Sequence, residues 1–372
     1  MKAIRKAYKF RLYPTKAQIT LLDGTLRLCR ELYNGALQER RDAYKRAGKT
    51  LNYYDQANQL PEIKEVRPDL NSVHSQVLQD VLKRVQKAFD NFFRRVKAGQ
   101  TPGYPRFQGR DRYDSFTFPQ GGWTIKNGEL TLSKIGILKI KFHREAIGKV
   151  KTCTIKRDGD KWFGCFAVEY EFEPPIHQGG AIGIDVGLEH LLNLSNGEQV
   201  DNPHFFRKSE KRLAKAQRRL AKIPKNSPLR RKYRKRVTYA FCKVRNQRLD
   251  FSHKLSHTIS STYSLIAVED LNIKGLAAGM LAKSVNDAGW SLFLSQLEYK
   301  VEKTGSKFIR VDPRQTSQIC PECGTIAKKE LSVRWHECPC GCSMHRDTAA
   351  AIVILSRGLA TLRNQSVEAP PL

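Results

Sequence analysis

The chain has 372 residues, 40% of them apolar, which is enough for two or three cored domains and excludes wholesale disorder. Its 66 Lys and Arg stand against 36 Asp and Glu, a formal net charge of +30, and such an excess repels itself unless a polyanion offsets it. Nucleic acid is the expected partner and an anionic membrane surface the weaker rival, because no run approaches the ~18 apolar residues of a membrane span and no apolar segment follows the basic start to suggest a signal peptide.

Ala7 to Tyr13 alternates apolar and basic residues as a half-exposed strand does, and Pro14 ends it. Thr15 with Gln18 gives a capping-box signature, and Leu21, Leu22, Leu28, Leu32, Tyr33, Ala36 and Leu37 continue at helical spacing. A second helix carries Val77, Leu78, Val81, Leu82, Val85, Phe89, Phe92, Phe93 and Val96, so residues 15–102 are expected to form a helical module. Gly103-Tyr104-Pro105-Arg106-Phe107 breaks the pattern. Strand character follows at 115–118, 136–142 and 162–168, with a hairpin tip at Arg157 to Asp160. If residues 1–14 join the strands of 103–175, the helical module is inserted into a β-barrel. Cys29, Cys153, Cys165 and Cys242 lie among apolar neighbours and read as core thiols.

Pro174-Pro175 marks a boundary. Ala181 to Gly187 is a buried-strand run containing Asp185, followed by Leu191 to Leu194 and a turn at Asn196-Gly197. From Phe205 to Arg248 there are 18 Lys or Arg and one acid, Glu210, with Pro224 and Pro228 dividing two helices. The second helix carries an apolar stripe at Leu229, Tyr233, Val237, Phe241, Val244, Phe251, Leu255 and Ile259; its first half is strongly basic and its second half is apolar enough to dock on a sheet. A solvated face mixes signs, so this region predicts phosphate contact by Lys208, Lys211, Arg212, Lys215, Arg218, Arg219, Arg231 and Lys235. A buried strand ends at Glu269, a helix face shows Trp290, Phe293, Leu297 and Val301, and a strand runs through Phe308 to Val311. Three strands, helix, strand, helix, strand, helix is the order of a ribonuclease-H-like α/β fold. It is expected over 176–318 and 343–362, with a disordered tail at 363–372.

Two motifs carry chemistry. Cys320 and Cys323 have Cys-x-x-Cys spacing before Gly324, and Cys338, Cys340 and Cys342 answer them about fifteen residues on, which is a zinc ribbon over 319–342. Three thiols compete there for two places, and His336 is open as a ligand but reads more readily as a strand residue. Such clustering suits a reducing cytosol better than a disulfide framework. Asp185, Glu269 and Asp347 each end or open an apolar run. Singly each passes for a surface acid or a helix cap, but three around one sheet can hold two divalent ions ~4 Å apart, Mg²⁺ or Mn²⁺ by the hardness of their oxygens, for phosphodiester hydrolysis. Asp270 points to the other face and reads as structural. Tyr8, Phe10, Tyr13, Tyr104, Phe107, Phe116 and Phe118 lie among cations as base-stacking residues do, or are half-buried strand residues; the two readings are equally open.

Together these motifs resemble the TnpB (OrfB) proteins of insertion sequences, relatives of type V CRISPR effectors. The resemblance runs through Phe10 to Pro14, Gly103 to Phe107, Ile182 to Gly187, Gln247 to Lys254, Val268 to Asn272, Trp290, Phe293 and Lys300. It continues through Val311 to Pro313, Thr316 to Cys320 and Arg346-Asp347. It implies a RuvC-like nuclease domain with Asp185, Glu269 and Asp347 as its acidic triad, a zinc ribbon whose Cys340-Gly341 is the family's Cys-Gly, and an N-terminal wedge barrel with an inserted recognition module. It further implies a guide RNA from the element itself, a double-stranded DNA target beside a short flanking motif, and a prokaryotic cytoplasmic protein at the nucleoid. Ala349 stands where the family has Asn. Three rivals to a nuclease remain: a guide-dependent repressor without cleavage, a transposase acting without RNA, and a structural zinc-ribbon RNA-binding protein.

Overall fold

The computed structural model describes residues 2–110, 112–328, 330 and 333–367, which fall into two units, 1–173 and 174–372.

In the first unit, β1 (Lys2–Tyr13) leads into α1 (Lys16–Ala47). The Thr15 hydroxyl accepts the Gln18 N–H while the Gln18 side chain accepts the Thr15 N–H, so the predicted capping box is formed. Short helices α2 (Tyr53–Ala57) and α3 (Leu60–Val66) precede α4 (Ser75–Lys97), whose Val77, Leu78, Val81, Leu82, Val85 and Phe89 are buried at the spacing read from the sequence. Six strands follow: β2 (Ser115–Phe118), β3 (Trp123–Lys126), β4 (Glu129–Leu132), β5 (Gly136–Lys141), β6 (Lys149–Asp158) and β7 (Lys161–Phe172). All seven pair antiparallel in the order β2-β6-β7-β1-β5-β4-β3, a nearly closed barrel whose end strands β2 and β3 do not pair. β1 lies at its centre, with Phe10 opposite Gly164 and Leu12 opposite Trp162. The inward residues of the barrel and the buried faces of α1 and α4 form one core. The β6–β7 hairpin turns at Gly159, whose φ of 67° is a conformation open to glycine at no steric cost.

In the second unit, β8 (Ala181–Val186), β9 (His190–Leu194) and β10 (Gln199–Asp201) form a meander followed by α5 (Phe205–Ala221) and α6 (Pro228–Thr262). Then come β11 (Leu265–Glu269), α7 (Ile273–Leu276), α8 (Ala282–Ala288), α9 (Trp290–Thr304) and β12 (Lys307–Val311). The hairpin β13 (Trp335–Glu337) and β14 (Ser343–His345) precedes α10 (Arg346–Val367). The five-stranded sheet has the order β10-β9-β8-β11-β12, with β8, β11 and β12 parallel. Strand alternation sends Ile182, Ile184, Val186, Ile266 and Val268 to a core shared with Phe293, Leu294 and Leu297 of α9 and Ile259 of α6. Leu265, Ala267, Ile309 and Val311 face the other way, onto Ile354 of α10.

Two expectations change. Helix α10 continues through residues 363–367, where a disordered tail was expected, because Leu362 still packs on the apolar face of the sheet; residues 368–372 lie outside the described ones. The β13–β14 hairpin extends to His345, beyond the expected end of the cysteine segment at 342. In the stripe of α6, Leu229 and Phe241 of the basic first half are exposed and burial begins at Val244, in keeping with a second half apolar enough to dock on a sheet.

Candidate nuclease centre and metal-binding hairpin

Alternation also decides where the acids go. Asp185 shares its strand face with Ala181 and Gly183, and Glu269 shares one with Leu265 and Ala267, which is the α10 face. The parallel register Val268–Ile184 brings Glu269 level with Asp185 at the carboxyl ends of two adjacent strands. Asp347 lies in the first turn of α10. A Cβ at Gly183 would fall on the Ala351 carbonyl oxygen, so the helix backbone rests directly on β8 one turn after Asp347. Likewise a Cβ at Gly358 would lie 2.6 Å from the Ala267 Cβ.

Asp185 senses the other two carboxyls. Burial pushes Asp185 up to about 8, the Glu269 and Asp347 carboxylates add to the rise, and Arg346 with the Val186 N–H opposes it. Burial also raises Glu269, against the Thr316 hydroxyl, which donates to its Oε1, and the Arg357 charge. Arg346 Nε lies 3.4 Å from Asp347 Oδ1 and Arg334 Nη1 3.9 Å from Oδ2. The three carboxylates do not form a set whose donor atoms all lie within 4.8 Å of one another; among the described residues such sets occur only on the cysteine hairpin. Ligands divided between two ions ~4 Å apart span more than that. Desolvated like charges of hard oxygen type are short of a cation, and magnesium or manganese fits the donor set.

Thr316, Arg346 and Arg334 complete this environment, and sequence reasoning gave none of them a role. Thr316 and Arg346 lie inside motifs of the family resemblance, but nothing in sequence spacing announces a contact across 47 residues. Asp270 is exposed, with Arg310 3.7 Å away, as expected for a structural residue on the other face.

On the cysteine hairpin, the sulfurs of Cys320, Cys323, Cys338 and Cys340 all lie within 4.8 Å of one another, with Cys320–Cys340 at 3.6 Å and Cys323–Cys338 at 3.5 Å. They form a set that can hold a metal ion such as zinc. Backbone N–H groups point at them: those of Cys323 and Glu322 at Cys320, Thr325 at Cys323, Cys340 at Cys338 and Cys342 at Cys340. Burial raises Cys320, but its amide donors outweigh that and leave it below the ordinary thiol, while the Thr325 hydroxyl and amide bring Cys323 down to about 6. Cys338 and Cys340 stay above the ordinary value despite the amide each accepts, since burial and the adjacent thiols oppose further negative charge. Such a set ionises fully only around a cation. Cys342, the competing thiol, belongs with Cys320 and His336 in a second set.

The basic residues sort by helix. Lys208, Lys211, Arg212, Lys215, Arg218 and Arg219 lie on α5, and Arg231 and Lys235 on α6. Between the two helices runs a cleft of about 600 Å³, lined by Arg212, Lys215 and Arg219 from α5 and by Tyr233, Arg236 and Lys243 from α6, with no acidic residue in its walls. Arg236 lies 4.9 Å from the centre of the Tyr233 ring. From α6 the sequence pointed to Arg231 and Lys235, neither of which lines the cleft; Tyr233, Arg236 and Lys243 do, and these share a face at helical spacing. Asp287 fixes the start of α5 by accepting the Phe206 and Arg207 N–H groups at 2.8 and 3.1 Å while pairing with Arg248 of α6 at 2.7 Å. Of the seven aromatics with two open readings, Tyr8, Phe10, Phe116 and Phe118 are core, whereas Tyr13, Tyr104 and Phe107 are exposed. Among the described residues no helix is long and apolar enough to cross a membrane.

Residues 165–279 match a family described as "Probable transposase" (OrfB of the IS605 type), residues 290–354 a "Cas12f1-like, TNB domain", and residues 1–49 a "Helix-turn-helix domain" of OrfB. In the last span the structure has a strand and one 32-residue helix. The chain is 34% identical over 370 residues to a "Putative RNA-guided DNA endonuclease" of Streptomyces pristinaespiralis, covering 97% of this chain and 91% of that protein. It is 31% identical over 382 residues to InsQ of Escherichia coli K12, of the same description, covering 96% and 93%. Its fold resembles a chain in a "Cryo-EM structure of the Cas12f1-sgRNA-target DNA complex", with a TM-score of 0.60 over 95% of this chain and 98% of that one, at 13% identity. Matched along nearly its full length at this identity, the chain belongs to the TnpB (OrfB) family of RNA-guided DNA endonucleases.

Proposed function

We propose that this chain is an RNA-guided endonuclease that cuts double-stranded DNA beside a short flanking motif, with Asp185, Glu269 and Asp347 as its catalytic carboxylates. One observation carries the reading: Asp185 and Glu269 share one face of the sheet, and Asp347 opens the helix packed on that face, close enough for the other two to raise Asp185. In this reading the second unit is a RuvC-like domain with a zinc ribbon held by Cys320, Cys323, Cys338 and Cys340. The first unit is a wedge barrel with an inserted recognition module.

Magnesium or manganese held by the three carboxylates would stabilise charge on the attacking and leaving oxygens and lower the pKa of water. The chain's own groups set the stage for that chemistry. The Thr316 hydroxyl fixes the Glu269 carboxylate in one orientation. Gly183 lets α10 approach closely enough to bring Asp347 beside Asp185. Arg346 and Arg334, beside Asp347, present positive charge where a scissile phosphate would arrive. Water attacks phosphorus as the bond to the 3′-oxygen breaks, leaving a 5′-phosphate and a 3′-hydroxyl. The basic α5–α6 cleft carries no sequence code, so pairing with a guide supplies specificity and the protein supplies backbone contacts.

The test is to purify the protein and sequence the RNA that accompanies it. The expected RNA has a constant scaffold followed by a variable segment, and recoding that segment redirects cleavage to a matching plasmid. Cleavage indifferent to the guide, or DNA strand transfer by RNA-free protein, would overturn the reading.

A further inference from the structure

The cysteine hairpin offers more ligands than one tetrahedral ion uses. Besides the four-thiol set, Cys320, His336 and Cys342 bring two sulfurs and a ring nitrogen within 4.8 Å of one another. They are 1%, 0% and 3% exposed, and among the described residues from 317 to 345 they are the only buried ones. A segment with no apolar interior of its own has built one from three metal-binding side chains, whereas Cys323 and Cys340 of the other set are exposed.

Local structure explains the convergence. In β13 Trp335 and Glu337 face outward, so alternation turns His336 inward. Cys338 N–H donates to the Cys342 carbonyl at 3.0 Å, closing a turn that Gly341 enters at a φ of 97°, and this folds Cys342 back toward Cys320. The two sets meet at a single sulfur, that of Cys320.

We infer that Cys320, His336 and Cys342 are a second zinc site overlapping the four-thiol site, able to keep the ion when the outer cysteines are lost. Zinc accepts mixed sulfur and nitrogen ligands, and three protein ligands leave one position for water. The shared sulfur makes the sites alternatives, so the chain carries one ion, and burial of the inner set shields it from competing chelators. The inference rests on the zinc-ribbon reading and is independent of DNA cleavage.

The experiment measures zinc per chain by mass spectrometry of the full-length protein, and the absorption spectrum after cobalt substitution. Cys338→Ser/Cys340→Ser is expected to retain about one ion per chain, with a cobalt spectrum shifted to higher energy as nitrogen replaces sulfur. His336→Ala alone should keep both the ion and the all-sulfur spectrum, and added to the double variant it should remove the ion. A double variant as empty as Cys320→Ser would overturn the inference. Should that variant fail to fold, His336→Ala/Cys342→Ser decides: zinc loss to a chelator at least about tenfold faster than wild type supports the inner site, and an unchanged rate refutes it. Because no readout uses cleavage, failure here leaves the nuclease reading standing.

Discussion

Asp185 is the carboxyl on which its neighbours act. Held near 8 against an ordinary 3.8, it keeps its proton more tightly in the folded than in the unfolded chain. Its ionisation therefore costs the ion-free protein stability progressively as pH rises through that window. Without divalent metal, the melting temperature should fall between about pH 5 and about pH 8 more steeply for wild type than for Asp185→Asn, and magnesium should remove most of the difference by displacing the proton. Identical slopes for the two proteins would contradict this. Thr316 makes a second case. Its hydroxyl bond lowers Glu269, so Thr316→Val should move the acid limb of the cleavage pH profile upward and cost about tenfold in rate near neutrality. The acids could be singled out in sequence only as a trio around one expected sheet, since each alone passes for a surface acid or a helix cap. Thr316, Arg346 and Arg334 could not, since the contacts that define them exist only after folding.

At the scale of elements, the contact of α10 with β8 and β11 fixes the site. Gly183 and Gly358 have no room for a side chain, and an added methyl at 183 must push the helix off the strand. Gly183→Ala should cost about 1–3 kcal/mol of stability. It should also lower cleavage about a hundredfold, since a shift of about 1 Å in reacting groups has that effect. Guide RNA should still be bound; cleavage at wild-type rate would sever the link between packing and chemistry. Asp287 does comparable work for the basic helices, as its side chain is buried under Arg248 and caps α5. Asp287→Ala strands the Arg248 charge and should cost about 3 kcal/mol in denaturant titration, with nucleic-acid affinity falling alongside. The helices and buried strands were readable because periodicity survives in long or strongly apolar runs. Composition likewise divides α6 into a basic first half and an apolar second half able to dock, and burial begins at Val244. His336 lies on the strand its sequence context favours, with the ligand reading left open; which thiols that strand faces could not be seen in a three-residue strand.

For the whole molecule the charge governs. A net +30 that includes the acid-free walls of the α5–α6 cleft should make RNA affinity fall steeply with salt through counterion release. Replacing Arg212, Lys215 and Arg219 with Gln should lower the slope of log affinity against log salt by about 2–3, uniformly across guide sequences. An unchanged slope would remove the cleft from the interface. The charge was legible from composition, whereas the division of aromatics into core and surface was not, since alternation with cations looks the same on either face of a strand. The central claim is met most directly by single-turnover cleavage of a guide-matched plasmid, comparing wild type with Asp185→Ala at equal RNA and DNA occupancy. The account predicts linear product for the wild type with magnesium and none with chelator, and for Asp185→Ala undiminished binding with a cleavage rate lower by at least about a thousandfold. Cutting by Asp185→Ala at a rate near wild type, or by wild type without any divalent ion, would contradict it.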